Sequence, residues 1–154
     1  MKKINSLIFK KAMSKFTTGI TVVTIKTESG YIGKTVNSFT SLSLNPPLIL
    51  FSLDKKSSSI NEYKKSTFFG VNILTKKQKD ISKFFSSKKS KWNDTDFFLS
   101  KNKVPMIKNC IVNLDCRIKK TSKEGDHILF ICKINEISIN NSTTPLVYFN
   151  SEYK

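Results

Sequence analysis

The chain has 154 residues and a formal charge of +16, from 27 basic and 11 acidic side chains. Its length is room for a single domain, residues 1–154, at about 150 residues per domain, and Val, Ile, Leu and Phe fill 47 positions, well above the roughly 20% below which chains stay disordered. All but one of the basic residues are Lys, spread from Lys2 to Lys154, and Arg117 alone offers the planar fork that nucleic-acid readers favour, so nucleic-acid binding is disfavoured as the main function.

Asn5 to Phe16 reads as a helix, because Phe9, Ala12, Met13 and Phe16 recur at i, i+3, i+4 and i+7 and Asn5 or Ser6 can cap it. The β-branched run from Gly19 to Ile25 predicts a strand, and Glu28-Ser29-Gly30 turns it into a second strand ending near Val36. Leu48 to Leu53 is a third, entered through Pro46-Pro47, which forbid helix there. Ser57 to Tyr63 reads as a short helix headed by three serines, Thr67 to Leu74 as a strand, and Lys77 to Phe85 as a helix with an Ile81, Phe84 and Phe85 stripe. Ser86 to Lys103, polar and basic around Trp92 and Phe97-Phe98, reads as a surface excursion. Cys110, Val112, Leu114, Cys116 and Ile118 then alternate with Ile111, Asn113, Asp115 and Arg117, a period of two that marks a strand. A hairpin loop from Lys123 to His127 returns the chain through Ile128, Phe130, Cys132 and Ile134. The apolar phase then shifts to Ile137 and Ile139, which places a bulge near Asn135. Leu146 to Phe149 is a last strand. Six or more strands joined by hairpins, with only short helices, argue a mostly antiparallel barrel or sandwich.

Cys110, Cys116 and Cys132 form no CxxC pair. The first two, six residues apart on one expected strand and so about 20 Å apart, cannot bridge each other. One His leaves a zinc site without ligands, so no metal is expected and the thiols read as buried and reduced. The longest uncharged apolar stretch, Leu44 to Leu53, is too short for a bilayer, and Lys10-Lys11 and Lys15 interrupt any signal-like apolar segment. A cytoplasmic protein is expected.

Three stretches carry candidate chemistry. Thr35 to Ser43 is rich in short polar side chains directly after a strand, and such a segment suits a flat heteroaromatic ring with many acceptors and donors; an ordinary Ser/Thr turn has the same composition. Ser52 to Ser59 ends a strand, adds Lys55-Lys56 and opens a helix at three hydroxyls, which describes an anion site or a plain serine cap. Gly125-Asp126-His127 puts the only imidazole at a hairpin tip, where it meets a neighbouring site or faces solvent. No Ser or Cys partners His127, so a hydrolytic triad has no support. No GxGxxG or P-loop is present.

Taken in order, these segments make the chain resemble the flavin reductase family, the small NAD(P)H:flavin oxidoreductases that supply reduced flavin to two-component monooxygenases. The resemblance runs from about Phe9 to Tyr153. It rests on Ala12 to Thr24, on Thr35 to Ser43 followed by Pro46-Pro47, and on Leu53-Asp54-Lys55-Lys56-Ser57-Ser58. Val71-Asn72-Ile73-Leu74, Leu114-Asp115-Cys116 and Gly125-Asp126-His127 complete it. The resemblance implies a Greek-key split β-barrel with short flanking helices, a homodimer with the flavin at or near the subunit interface, and FMN or FAD as flavin with NADH or NADPH as co-substrate. It implies that Thr35, Val36, Asn37 and Ser38 line the isoalloxazine. Ser41, Ser52, Leu53 and Asp54 would meet the ring edge and ribityl chain, Ser58 and Ser59 the phosphate, and His127 the nicotinamide. Lys91 is a further phosphate candidate on position alone. Two departures stand out: Asn150-Ser151-Glu152-Tyr153 replaces the family's usual Gly-Arg-Tyr ending, and Lys34 stands where an apolar residue is usual. Rival readings are an FMN-binding electron carrier or pyridoxamine-phosphate-oxidase-type flavoprotein and, more remotely, a basic nucleic-acid-binding barrel.

Overall fold

The structure, a computed structural model, describes residues 3–87, 92, 95–141 and 144–154. α1 (Ser6–Met13) is capped by Asn5, whose side chain accepts from Ile8 N, and it buries none of its residues. It ends before the expected Phe16. β1 (Thr18–Gly19) leads into the hairpin of β2 (Thr21–Thr27) and β3 (Gly30–Val36); β4 (Thr40–Ser43) and β5 (Leu48–Asp54) follow. Next come α2 (Ile60–Lys65), β6 (Phe68–Ile73), a 3₁₀ turn (Lys76–Gln78) and α3 (Lys79–Ser86). β7 (Phe97–Leu99), β8 (Pro105–Ile107), β9 (Val112–Glu124), β10 (His127–Ile139), β11 (Val147–Phe149) and β12 (Glu152–Tyr153) complete the order.

Seven strands form one antiparallel sheet in the order β3-β2-β6-β9-β10-β5-β4. Its inner face holds the main core, where Phe51, Phe69 and Phe130 meet with ring centroids 5.1–5.6 Å apart. α2 plugs this core. Tyr63 stacks on Phe69 and donates its hydroxyl to Val23 O at 2.9 Å, and burial pushes its pKa well above the usual phenol value. The helix starts at Ile60, later than the three serines predicted. Lys56 N donates to Asp54 Oδ1 and Ser57 N to Asp54 O, so a turn takes the first serine and helix begins where Ile60 and Tyr63, at i and i+3, enter the core.

A second cluster of Ile20, Val22, Leu74, Phe85, Ile107, Cys110 and Leu146 lies on the other side of β2. β2 is therefore buried on both faces, which explains its unbroken β-branched run. Phe85 of α3 presses on Gly33, where a Cβ would lie 2.5 Å from the ring. Trp92 is half-buried against Phe85, Phe97 and Tyr31, and β7 pairs with β8, so the described part of the expected surface excursion is packed structure. Lys91 lies outside the described residues.

β8 lies across the outer face of the sheet on a polar ladder. Thr24 Oγ1 donates to Pro105 O at 2.6 Å, Ile107 N donates to Asn72 Oδ1, and Asn113 Nδ2 donates to both Asn72 Oδ1 and Ile107 O. A Cβ at Gly70 would lie 2.3 Å from Thr24 Oγ1 and 3.0 Å from Pro105 O, so this close approach needs glycine.

The β9–β10 register shifts at Asn135, as expected from the apolar phase, and again at Lys119. The hairpin loop is shorter than predicted: Gly125-Asp126 form a two-residue turn, with Gly125 at φ 55°, as a glycine-first type II′ turn requires. Cys110 is not on the strand with Cys116. It precedes β9 and packs in the second cluster, whereas Cys116 and Cys132 sit in the main core. All three thiols are free; burial pushes Cys110 and Cys132 up to about 12 and raises Cys116 further. No described helix is long and apolar enough to cross a membrane.

Candidate active site

The ends of three sheet strands make a cleft of about 500 Å³, lined by Lys34 to Ser38, Ser52 to Asp54, Lys56, Ser57 and His127. β3 delivers Lys34, Thr35 and Val36 at a free edge of the sheet, and the chain leaves it as Asn37-Ser38. β5 delivers Ser52, Leu53 and Asp54. His127 opens β10 directly opposite Asp54 in the β5–β10 register.

Two hydroxyls are engaged in holding this frame. Ser38 Oγ donates to Ser52 O and accepts from Ser52 N, both at 3.0 Å, so it ties the segment after β3 to β5. Thr35 Oγ1 donates to Ser82 O of α3 at 2.7 Å, and Ser82 Oγ in turn meets Tyr153 OH at 2.9 Å. Lys55 braces the far wall through its side chain to Gly125 O and its N–H to Asp126 O.

The groups left to meet a ligand are the Asn37 amide, the Ser57 hydroxyl, two lysine cations and the His127 ring, beside the carboxylate of Asp54. Asn37 is exposed, and its amide makes no side-chain hydrogen bond to a described residue. Ser57 is half-buried, and Lys34 and Lys56 bring two cations to the lining. His127 Nδ1 donates to Asp126 Oδ1 at 2.7 Å, which fixes the ring and leaves Nε2 as the free nitrogen. That hydrogen bond, with the imidazole's charge, holds the Asp126 carboxyl below the usual carboxylate range. The cleft is within the roughly 300–1,000 Å³ of small-molecule sites, and its donors suit an acceptor-rich, anionic ligand.

Of the residues singled out in the sequence, Thr35, Val36, Asn37, Ser38, Ser52, Leu53, Asp54 and His127 converge here. Three do not line it. Ser41 lies on β4 opposite Ile49, Ser58 is exposed in the turn, and Ser59 is the α2 N-cap residue without a side-chain cap bond. Lys34, Lys56 and Ser57 also line it; Lys56 and Ser57 belong to the candidate anion segment Ser52 to Ser59, whereas Lys34 stood out in the sequence only as a departure from the family.

Residues 13–154 match the family described as flavin reductase like domain. The FMN reductase (NADH) SmoA of Agrobacterium fabrum is 37% identical over 130 residues, covering 84% of this chain and 75% of that protein. The flavin-dependent monooxygenase reductase subunit HsaB of Mycobacterium tuberculosis is 33% identical over 154 residues, covering 98% and 82%. The solved structure of the flavin reductase PheA2 superposes with a TM-score of 0.91 at 34% identity, covering 98% of this chain and 97% of that one. A match over almost the whole chain, a shared fold and a cleft that gathers the segments expected of a flavin site agree: the chain belongs to the flavin reductase-like family.

Proposed function

We propose that this protein is an NAD(P)H-dependent flavin reductase, with NADH the favoured donor, that reduces FMN or FAD and supplies it to a partner monooxygenase. The convergence of Thr35 to Ser38, Ser52 to Asp54 and His127 on one cleft, in a chain of this family, carries the reading. The names of SmoA and HsaB support the nicotinamide and the monooxygenase partner. Bound flavin supplies the hydride-accepting ring, the part of the chemistry that no side chain here performs.

The chain's own residues bind and orient. Ser38 and Thr35, anchored to β5 and α3, hold the β3 exit in one conformation, so that Asn37 and the nearby backbone N–H groups present fixed donors to a flat ring. Asp126 sets the His127 ring so that Nε2 meets the nicotinamide. Lys56 and Ser57 take the flavin phosphate in place of Ser58 and Ser59, and Ser41 stands outside the contact set. The sheet closes as a Greek-key split barrel, which the Ser38–Ser52 bridge between the β3 exit and β5 supports. One such domain, residues 1–154, forms a homodimer, for which the uncovered apolar residues of α1 argue. Three free buried thiols favour the cytoplasm.

Anaerobic mixing of the protein with FMN and excess NADH tests the reading. The yellow absorption bleaches at a rate proportional to protein concentration. Flavin that stays oxidised beside a protein-free control overturns it.

A further inference from the structure

One buried carboxylate lacks half of its partners. Asp115 on β9 is 2% exposed. Its Oδ1 accepts from Asn102 Nδ2 at 2.9 Å and from Asn135 Nδ2 at 3.5 Å, while its Oδ2 meets no hydrogen-bond donor among the described residues. Glu136 of β10 is its register partner, so both side chains rise from one face of the sheet. Neither acid is in an ion pair with a described residue, in a chain with 27 basic side chains. Buried carboxyls are ordinarily paired or fully hydrogen-bonded, and no described residue of the protomer supplies the missing partner.

The two acids border a cavity of about 110 Å³ whose other walls include Phe98, Met106 and Ile137. A hard metal ion wants six or more oxygen ligands, and no group of three or more metal-ligating side chains occurs among the described residues. An acidic floor under apolar walls instead suits an ammonium on an aliphatic stem, the shape of a lysine side chain. Around the mouth, Phe98, Leu99, Ile137 and Ile139 are 41–74% exposed, a patch of the kind that marks a protein-binding surface.

The complementary surface is on the chain itself. α1 buries no residue, and Phe9, Met13 and the following Phe16 are 53–74% exposed. Lys10 lies on the flank of that face, one turn before Met13. We propose that in the homodimer α1 of each protomer docks on the Phe98-Leu99 and Ile137–Ile139 patch of the other, with the Lys10 ammonium entering the cavity to meet Asp115 and Glu136. Twofold symmetry makes the contact twice, covering both apolar surfaces of each copy. The inference rests on the homodimer reading and uses none of the residues that line the flavin cleft.

Carbodiimide coupling, which joins a carboxylate to an amine already in contact, tests it on an equal mixture of isotopically light and heavy protein allowed to exchange subunits. The expected product is a Lys10–Glu136 cross-link joining a light peptide to a heavy one. Sedimentation equilibrium of Lys10→Glu and Ile139→Asp, both exposed positions with the fold checked by circular dichroism, should show dimer dissociation at least tenfold weaker-bound than wild type. Combining Lys10→Glu with Glu136→Lys should restore most of the loss. A cross-link found only within one chain, a dimer whose dissociation constant stays within twofold in both variants, or a monomeric wild type overturns the proposal. A monomer that still bleaches FMN with NADH removes the docking and leaves the function standing; a dimer cross-linked as expected that never reduces flavin does the reverse.

Discussion

Lys56 and Ser57 sit where β5 gives way to the turn before α2, and Lys34 and Lys56 bring two positive charges to a cleft that also holds the Asp54 carboxylate. A charge-assisted contact to phosphate is roughly twice as strong as a neutral one. The Lys56→Ala, Ser57→Ala double variant should therefore bind FMN about tenfold more weakly, while riboflavin, which lacks the phosphate, keeps its affinity. The Ser58→Ala, Ser59→Ala pair should leave both flavins within about twofold, in fluorescence titrations. The reverse pattern would return the phosphate to the later serines. This distinction was not legible in the sequence. Four adjacent polar residues look equivalent until Asp54 captures the N–H groups of Lys56 and Ser57 and fixes which side chain faces the cleft. Thr35 and Ser38 were legible as site residues, but their hydroxyls turn inward to Ser82 O and to the Ser52 backbone, which only the fold reveals.

The ladder under β8 shows why two short motifs stand out at the scale of elements. Asn72 of the Val71-Asn72 strand and Asp115 of Leu114-Asp115-Cys116 anchor the β7–β8 ribbon, Asn72 through Ile107 N and Asp115 through Asn102. Gly70 lets the ribbon lie close to the sheet. Gly70→Ala forces a Cβ into Thr24 Oγ1 and Pro105 O, and overpacking of this kind costs about 1–3 kcal/mol. The urea midpoint should fall accordingly, with flavin reduction at low temperature retained because the cleft is formed by other strands; an unchanged midpoint would mean that the ribbon shifts freely. Strand patterning made β9, β10 and the Asn135 bulge readable, since one face of each is apolar. It failed for the described part of residues 86–103, because Trp92 and Phe97 both pack on Tyr31, a partner distant in sequence, and Trp92 also on Phe85. Helical spacing found α1, but nothing local said that its apolar residues would stay uncovered within one protomer.

Over the whole molecule, the +16 charge creates a positive field in which two lysines of the cleft take part. Reduced nicotinamide dinucleotide is an anion, so the field speeds its capture. Since the Debye length shrinks from about 10 Å at 0.1 M salt to about 3 Å at 1 M, kcat/KM for NADH should fall several-fold over that range, with kcat nearly constant. A flat salt profile would leave the charge without a role in catalysis. Composition showed this excess of lysine directly, and the order of the segments showed the family; their convergence on one cleft needed the sheet that carries the β3 exit to β5 and β10. The central claim is that donor and flavin meet in that cleft beside His127. Anaerobic single-turnover reduction of FMN by NADH, measured in wild type and His127→Ala with FMN affinity determined in parallel, tests it most directly. Loss of one orienting hydrogen bond, about 1.4 kcal/mol, predicts a rate roughly tenfold lower with FMN affinity within twofold. An unchanged rate in the variant would contradict the account.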